Sequence, residues 1–235
     1  MAEIPYVLII CIAAVVCLTP LSVYLRIVAA IGQRNRATVV NGVWDFVGLL
    51  TGLSGFLLFG GVQFLALLLS HFRLGLRGGF AGLRAGWEQQ STTWTVLAIL
   101  YIVGLVTWIS LVVLSRRRSW VFYNVTSPAV EECIQRLLTQ LQLNVTRVGN
   151  IWYVGDQPVC ELEVFERGNT AILRWLHPNK QLYDQFVRLL PYQAATIPPP
   201  VDNWAALWLR TASVGLGVFA LTCLGLLAYA LFWVR

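Results

Sequence analysis

The chain has 235 residues, is 57% hydrophobic and only 12% charged, and carries a formal net charge of +6. Soluble domains carry about twice that share of charge, so a wholly soluble protein is excluded: it could not hide so much apolar surface. A nucleic-acid role is excluded too, because residues 119–203 hold six bases and eight acids and stand at −2, which leaves the basic excess to the apolar segments and their flanks.

Four apolar stretches, at about 5–31, 43–70, 93–115 and 207–234, each exceed the roughly 20 residues that a helix needs to cross a bilayer core. They predict an integral membrane protein with four transmembrane helices. The first stretch follows Glu3, has no basic n-region and is too long for a cleaved signal. Pro20 removes a backbone donor in its interior and is expected to kink it.

The second stretch holds Asp45, the one acidic residue within an apolar span. An intramembrane carboxylate can serve as an ion site or proton carrier. The preferred reading is local: in the first turn of a helix, a carboxylate complements the dipole and caps free amides, or pairs with Arg34, Arg36 or a guanidinium of Arg116, Arg117 or Arg118. Gly48, Gly52 and Gly55 follow, and Gly48-x-x-x-Gly52 is a small-xxx-small pattern that lets helix backbones approach closely. The glycines serve helix packing or, in the alternative, line a pore. Residues 71–92 place Leu76, Phe80, Leu83 and Trp87 on one helical face among five glycines, and read as an interfacial loop.

Orientation follows from arginines at the span ends. Arg34, Arg36, Arg116, Arg117, Arg118 and Arg210 fall on one side and Arg73, Arg77, Arg84 and Arg235 on the other. Six against four places the first side, and with it the polar segment, in the cytoplasm. Residues 1–118 are thus three transmembrane helices, 119–197 a soluble α+β domain, and 198–235 a proline spacer with the fourth helix.

The domain reads as β-α-β-β-β-β-α, a small sandwich with two helices on an antiparallel sheet. Trp120–Val125 is β-rich. Ser127-Pro128 starts a helix in which Val130, Cys133, Ile134, Leu137, Leu138 and Leu141 share a face opposite Glu131, Glu132, Gln135, Arg136 and Gln140. Strands at 143–148 and 151–154 join through Gly149-Asn150. Cys160, Leu162 and Val164 alternate with Glu161 and Glu163, a strand at 170–176 follows, and a last helix runs from about Asn179 to Leu190. Glu161 and Glu163 stand about 7 Å apart on one strand face and form either a solvated face or a contact patch for a basic partner.

No catalytic or cofactor signature emerges. His71 and His177 offer no paired haem ligation, and no Cys/His cluster has zinc spacing. The five cysteines form no C-x-x-C and read as buried free thiols. The sequons Asn124-Val-Thr126 and Asn144-Val-Thr146 fall in predicted strands and read as chance. The sequence therefore predicts a non-enzymatic bacterial inner-membrane subunit or scaffold without cofactor. Its partners are the bilayer and other membrane subunits or itself, and the domain is an interaction module. The alternative is an oligomeric channel or transporter with Asp45 at its cytoplasmic mouth.

Overall fold

The computed structural model describes residues 4–34, 36–58, 92, 95–200 and 203–233. The described elements, in chain order, begin with α1 (Ile4–Gly32), β1 (Thr38–Asn41), α2 (Gly42–Gly52), α3 (Ser54–Leu58) and α4 (Thr95–Arg116). They continue with β2 (Ser119–Tyr123), α5 (Ser127–Gln140), β3 (Val145–Val148), β4 (Ile151–Val154) and β5 (Gln157–Phe165). A short 3₁₀ turn at Glu166–Gly168 leads to β6 (Thr170–Trp175), α6 (Lys180–Ala194) and α7 (Trp204–Trp233).

Among the described residues, three helices are long and apolar enough to span a membrane: Ile10–Gly32, Thr95–Arg116 and Trp204–Ala230. Length and composition make this a membrane protein. α1 runs through Pro20 without a break. The expected second span departs from a single helix in its described part, because α2 ends at Gly52 and α3 begins at Ser54. Glycine is among the weakest helix formers, and the break falls beside one. The rest of that span and nearly all of the 71–92 loop lie outside the described residues.

The chain divides into two compact units. One comprises Met1–Val23, Leu50–Val112 and Gly215–Arg235; the other comprises Tyr24–Leu49 and Val113–Val214. Within the first, helices meet at small residues. A Cβ on Gly55 would collide with the backbone of Val16 and Cys17, and one on Gly217 would lie 3.2 Å from Ser22 Oγ. Tyr101 Oη donates to the Leu57 carbonyl at 2.6 Å.

The second unit is built on a six-stranded antiparallel sheet in the order β1-β2-β6-β5-β4-β3. The sequence accounts for five of these strands. The sixth, β1, comes from the connection after α1, where the sequence predicted no element. Its residues Thr38-Val39-Val40-Asn41 pair with Trp120–Tyr123, and three β-branched residues suit an extended strand. Pro158 cannot donate to a ladder. The β4–β5 register accordingly slips between Trp152 and Tyr153: Trp152 faces Cys160, Tyr153 faces Pro158, and Val159 is the extra residue. Its carbonyl instead accepts from Leu176 N at 2.9 Å and His177 N at 3.2 Å.

α5 and α6 cover one face of this sheet. Phe122, Val130, Ile134, Leu137, Leu138, Leu173, Phe186 and Leu190 are fully buried there, and each such side chain contributes about 1.5–3 kcal/mol relative to exposure. Trp175 stacks against Phe186 with ring centroids 4.8 Å apart. α6 extends to Ala194, past the Leu190 expected from the sequence, and holds Pro191 in its final turn.

Candidate functional site

The cluster around Asp45 joins three elements of the sheet-bearing unit. Asn41, the last residue of β1, caps α2: its Oδ1 accepts from Val43 N at 2.9 Å. This Asx-type cap performs the amide-capping role that the sequence reading gave to Asp45. Asp45 remains in the first turn of α2 but turns to side chains instead. Its Oδ1 accepts a hydrogen bond from Tyr123 Oη on β2, and its Oδ2 lies 3.5 Å from Arg116 Nη1 at the end of α4. The Arg116 guanidinium also sits over the buried Phe46 ring, 5.4 Å from its centroid. Burial pushes the Tyr123 phenol well above its ordinary value, and the bond and charge of Asp45 push it further. The phenol therefore stays a donor.

This triad is an anchor by its chemistry. The carboxylate is matched by one guanidinium and one phenol, one partner to each oxygen. Among the described residues, no group of three or more His, Cys, Asp or Glu side chains stands close enough to hold a metal.

Asn124 extends the same junction. It is buried at the end of β2 in a left-handed conformation, φ 62°, which asparagine tolerates better than most residues. Its Nδ2 donates to the Arg34 carbonyl and, at 3.4 Å, to the Arg36 carbonyl. The connection between α1 and β1 is thereby held against β2. With its amide so buried, Asn124 is unsuited to carry a glycan.

The remaining sequence candidates are dispersed. Glu161 lies on the helix-free face of the sheet, where it faces Arg174 across β5 and β6 and pairs with it at 3.5 Å. Glu163 is exposed beside it, with Val148 and Phe165 as exposed apolar residues of the same sheet. Arg174 thus offsets part of the acidic patch. A Cβ on Gly48 would lie 3.4 Å from the Tyr24 ring. Gly48 and Gly55 thus sit at packed contacts, and Gly52 is buried. Arg34, Arg36 and Arg117 are exposed, while Arg118 sits over Tyr183, 5.8 Å from the ring centroid.

A second polar arrangement had no signal in the sequence reading. Arg147 on β3 makes a bidentate ion pair with Glu131 on α5, one arm of it 2.9 Å, and stacks over Trp152 at 5.0 Å. The pair borders a cleft of about 300 Å³ lined also by Pro128, Glu132, Gln135 and Val145. Its members are 16 residues apart, out of reach of any helical or strand periodicity. His177 lies two residues past the end of β6, its Nδ1 accepting from Asn179 N at 3.2 Å.

Compared with known protein families, curated proteins and solved structures, the chain matches none. Its function must be argued from its own geometry.

Proposed function

We propose that the protein is a non-enzymatic membrane subunit that holds its α+β domain at the cytoplasmic surface of a bacterial inner membrane as an interaction module. The observation that carries this reading is β1. The connection that leaves α1 is hydrogen-bonded into the same sheet as the segment that leaves α4. The Asp45–Tyr123–Arg116 cluster ties α2 to that sheet and to the end of α4. A domain so fastened is suited to present a surface in a fixed orientation, and the helix-free face with Glu161 and Glu163 is the surface we assign to a partner.

The pairing also bears on the count of spans. β1 follows α1 and β2 follows α4, and paired strands lie on one side of a bilayer. With α1 and α4 both crossing, the chain between them crosses an odd number of times. One crossing by residues 43–70 is the simplest count and completes the four spans proposed here.

The channel reading loses support from the same cluster, because Asp45 is occupied by Tyr123 and Arg116. The deciding experiment is purification from native membranes in mild detergent, with mass spectrometry of what co-purifies. A stable partner or homo-oligomer that dissociates on substituting Glu161 and Glu163 is the expected result. A monomer with no stable partner overturns the reading.

A further inference from the structure

Several helix ends meet in the sheet-bearing unit. A Cβ on Gly32, the last residue of α1, would lie 3.0 Å from Ala206 Cβ in the first turn of α7. A Cβ on Gly42, the first residue of α2, would collide with Ser119 Oγ at the start of β2, just past the Arg116–Arg118 run that closes α4. The linker after α1 is held on β2 by Asn124. The end of α1 therefore lies beside the start of α7, and the start of α2 beside the end of α4.

Arginines crowd these ends. Among the described residues, Asp45 is the carboxylate that pairs with one of them, and it is engaged by Arg116 and Tyr123. Arg34, Arg36, Arg117 and Arg210 are exposed and make no ion pair among the described residues. Trp44 at the start of α2 and Trp204 at the start of α7 are 72% and 62% exposed. Exposed tryptophans at helix ends mark the depth of the lipid headgroups. Four exposed guanidinium groups at these helix ends suit phosphates, which their planar forks match in two-point contacts.

We infer that the ring of helix ends carrying Arg34, Arg36, Arg117 and Arg210 binds the headgroups of anionic phospholipids. A zwitterionic lipid brings its own ammonium and leaves the excess guanidinium charge unmatched, whereas a net-negative headgroup neutralises it. Each arginine is expected to favour anionic lipid by about fivefold. This inference rests on the membrane-spanning helices and not on the interaction-module reading, so loss of a protein partner leaves it untouched.

The test uses the full chain, reconstituted in vesicles of equimolar phosphatidylglycerol and phosphatidylcholine, extracted in mild detergent and assayed by native mass spectrometry for retained lipid. Retained phosphatidylglycerol is expected to exceed phosphatidylcholine at least fivefold. The R34Q/R36Q/R117Q variant should lose most of that preference, and the corresponding lysine variant should keep much of it. Should the triple glutamine variant fail to fold, the single variants R36Q and R117Q carry the test, each lowering the preference severalfold. Equal retention of the two lipids by the wild type overturns the proposal, as does a preference unchanged in the glutamine variants. Displacement of the lipid by inorganic phosphate also overturns it, assigning the ring to free phosphate.

Discussion

Tyr123 Oη donates a hydrogen bond to Asp45 Oδ1, and through that bond an inner strand of the sheet holds the first turn of α2. The bond lies in a half-buried setting where an unmatched polar group is costly. Asp45→Ala leaves the Tyr123 phenol and the Arg116 guanidinium without their acceptor, and is expected to destabilise the protein by about 1–3 kcal/mol. Asp45→Asn keeps an acceptor for Tyr123 while removing the charge that Arg116 faces, and should cost less than the alanine change. Thermal unfolding of the full chain in detergent, followed by tryptophan fluorescence, measures both. An alanine variant as stable as the wild type would remove the anchor role.

How much of this junction could be read in advance depends on distance along the chain. α5 was legible because Val130, Cys133, Ile134, Leu137 and Leu138 recur at helical spacing, and the structure buries all five. The Gly149-Asn150 turn was legible because Gly149 takes φ 61°, a conformation that glycine enters freely. β1 was not legible. Four residues beginning at Thr38 carry too short a pattern to mark a strand, and its stability comes from pairing with a partner about 80 residues later. Asp45 stood out as a lone acid, and pairing with one of five arginines was anticipated, but Tyr123 lies 78 residues away. Local periodicity holds no record of such a contact. The same holds for Glu131 and Arg147: Glu131 read only as part of the polar face of α5, and Arg147 carried no reading beyond its charge.

The glycines divide by what surrounds them. Gly55→Ala places a methyl group into the Val16–Cys17 backbone, and overpacking of this kind costs about 1–3 kcal/mol. Gly104 in α4 has nothing within 4 Å of a Cβ, so Gly104→Ala should be neutral or slightly stabilising through helix propensity. Melting temperatures of the two variants in one detergent should therefore differ clearly. Equal values would show that the α1–α3 approach contributes nothing to stability.

Cys133 and Cys160 are buried in the domain core, and burial pushes their thiols up to about 11 and about 12. The thiolate is the reactive form, so at pH 8 both should resist a maleimide in the folded protein and react only after unfolding. Peptide mass spectrometry of protein labelled before and after denaturant gives the readout. Rapid native labelling of either residue would mean that the α5–sheet core opens locally.

The Glu131–Arg147 pair sets an acid limit on the domain. Hydrogen bonds from Arg147 hold the Glu131 carboxyl below the usual glutamate range, outweighing the opposing effect of burial, and Ser127 adds a further bond. A carboxylate whose folded pKa is depressed contributes stability that is fully present above its unfolded value, about 4.3, and is lost as pH falls through the folded value. Between pH 6 and 5 the pair should therefore leave stability flat, and below about pH 4.3 stability should decline. Glu131→Gln removes the titrating group, so its stability should lie below wild type at pH 6 and the gap should narrow as pH approaches about 3. Both partners are partly exposed, at 40% for Arg147 and 28% for Glu131, so solvent and salt weaken the effect. It should shrink when the titration is repeated at high ionic strength. Urea unfolding of the full chain at a series of pH values separates the cases. Parallel wild-type and Glu131→Gln curves would show that the pair does not couple folding to pH.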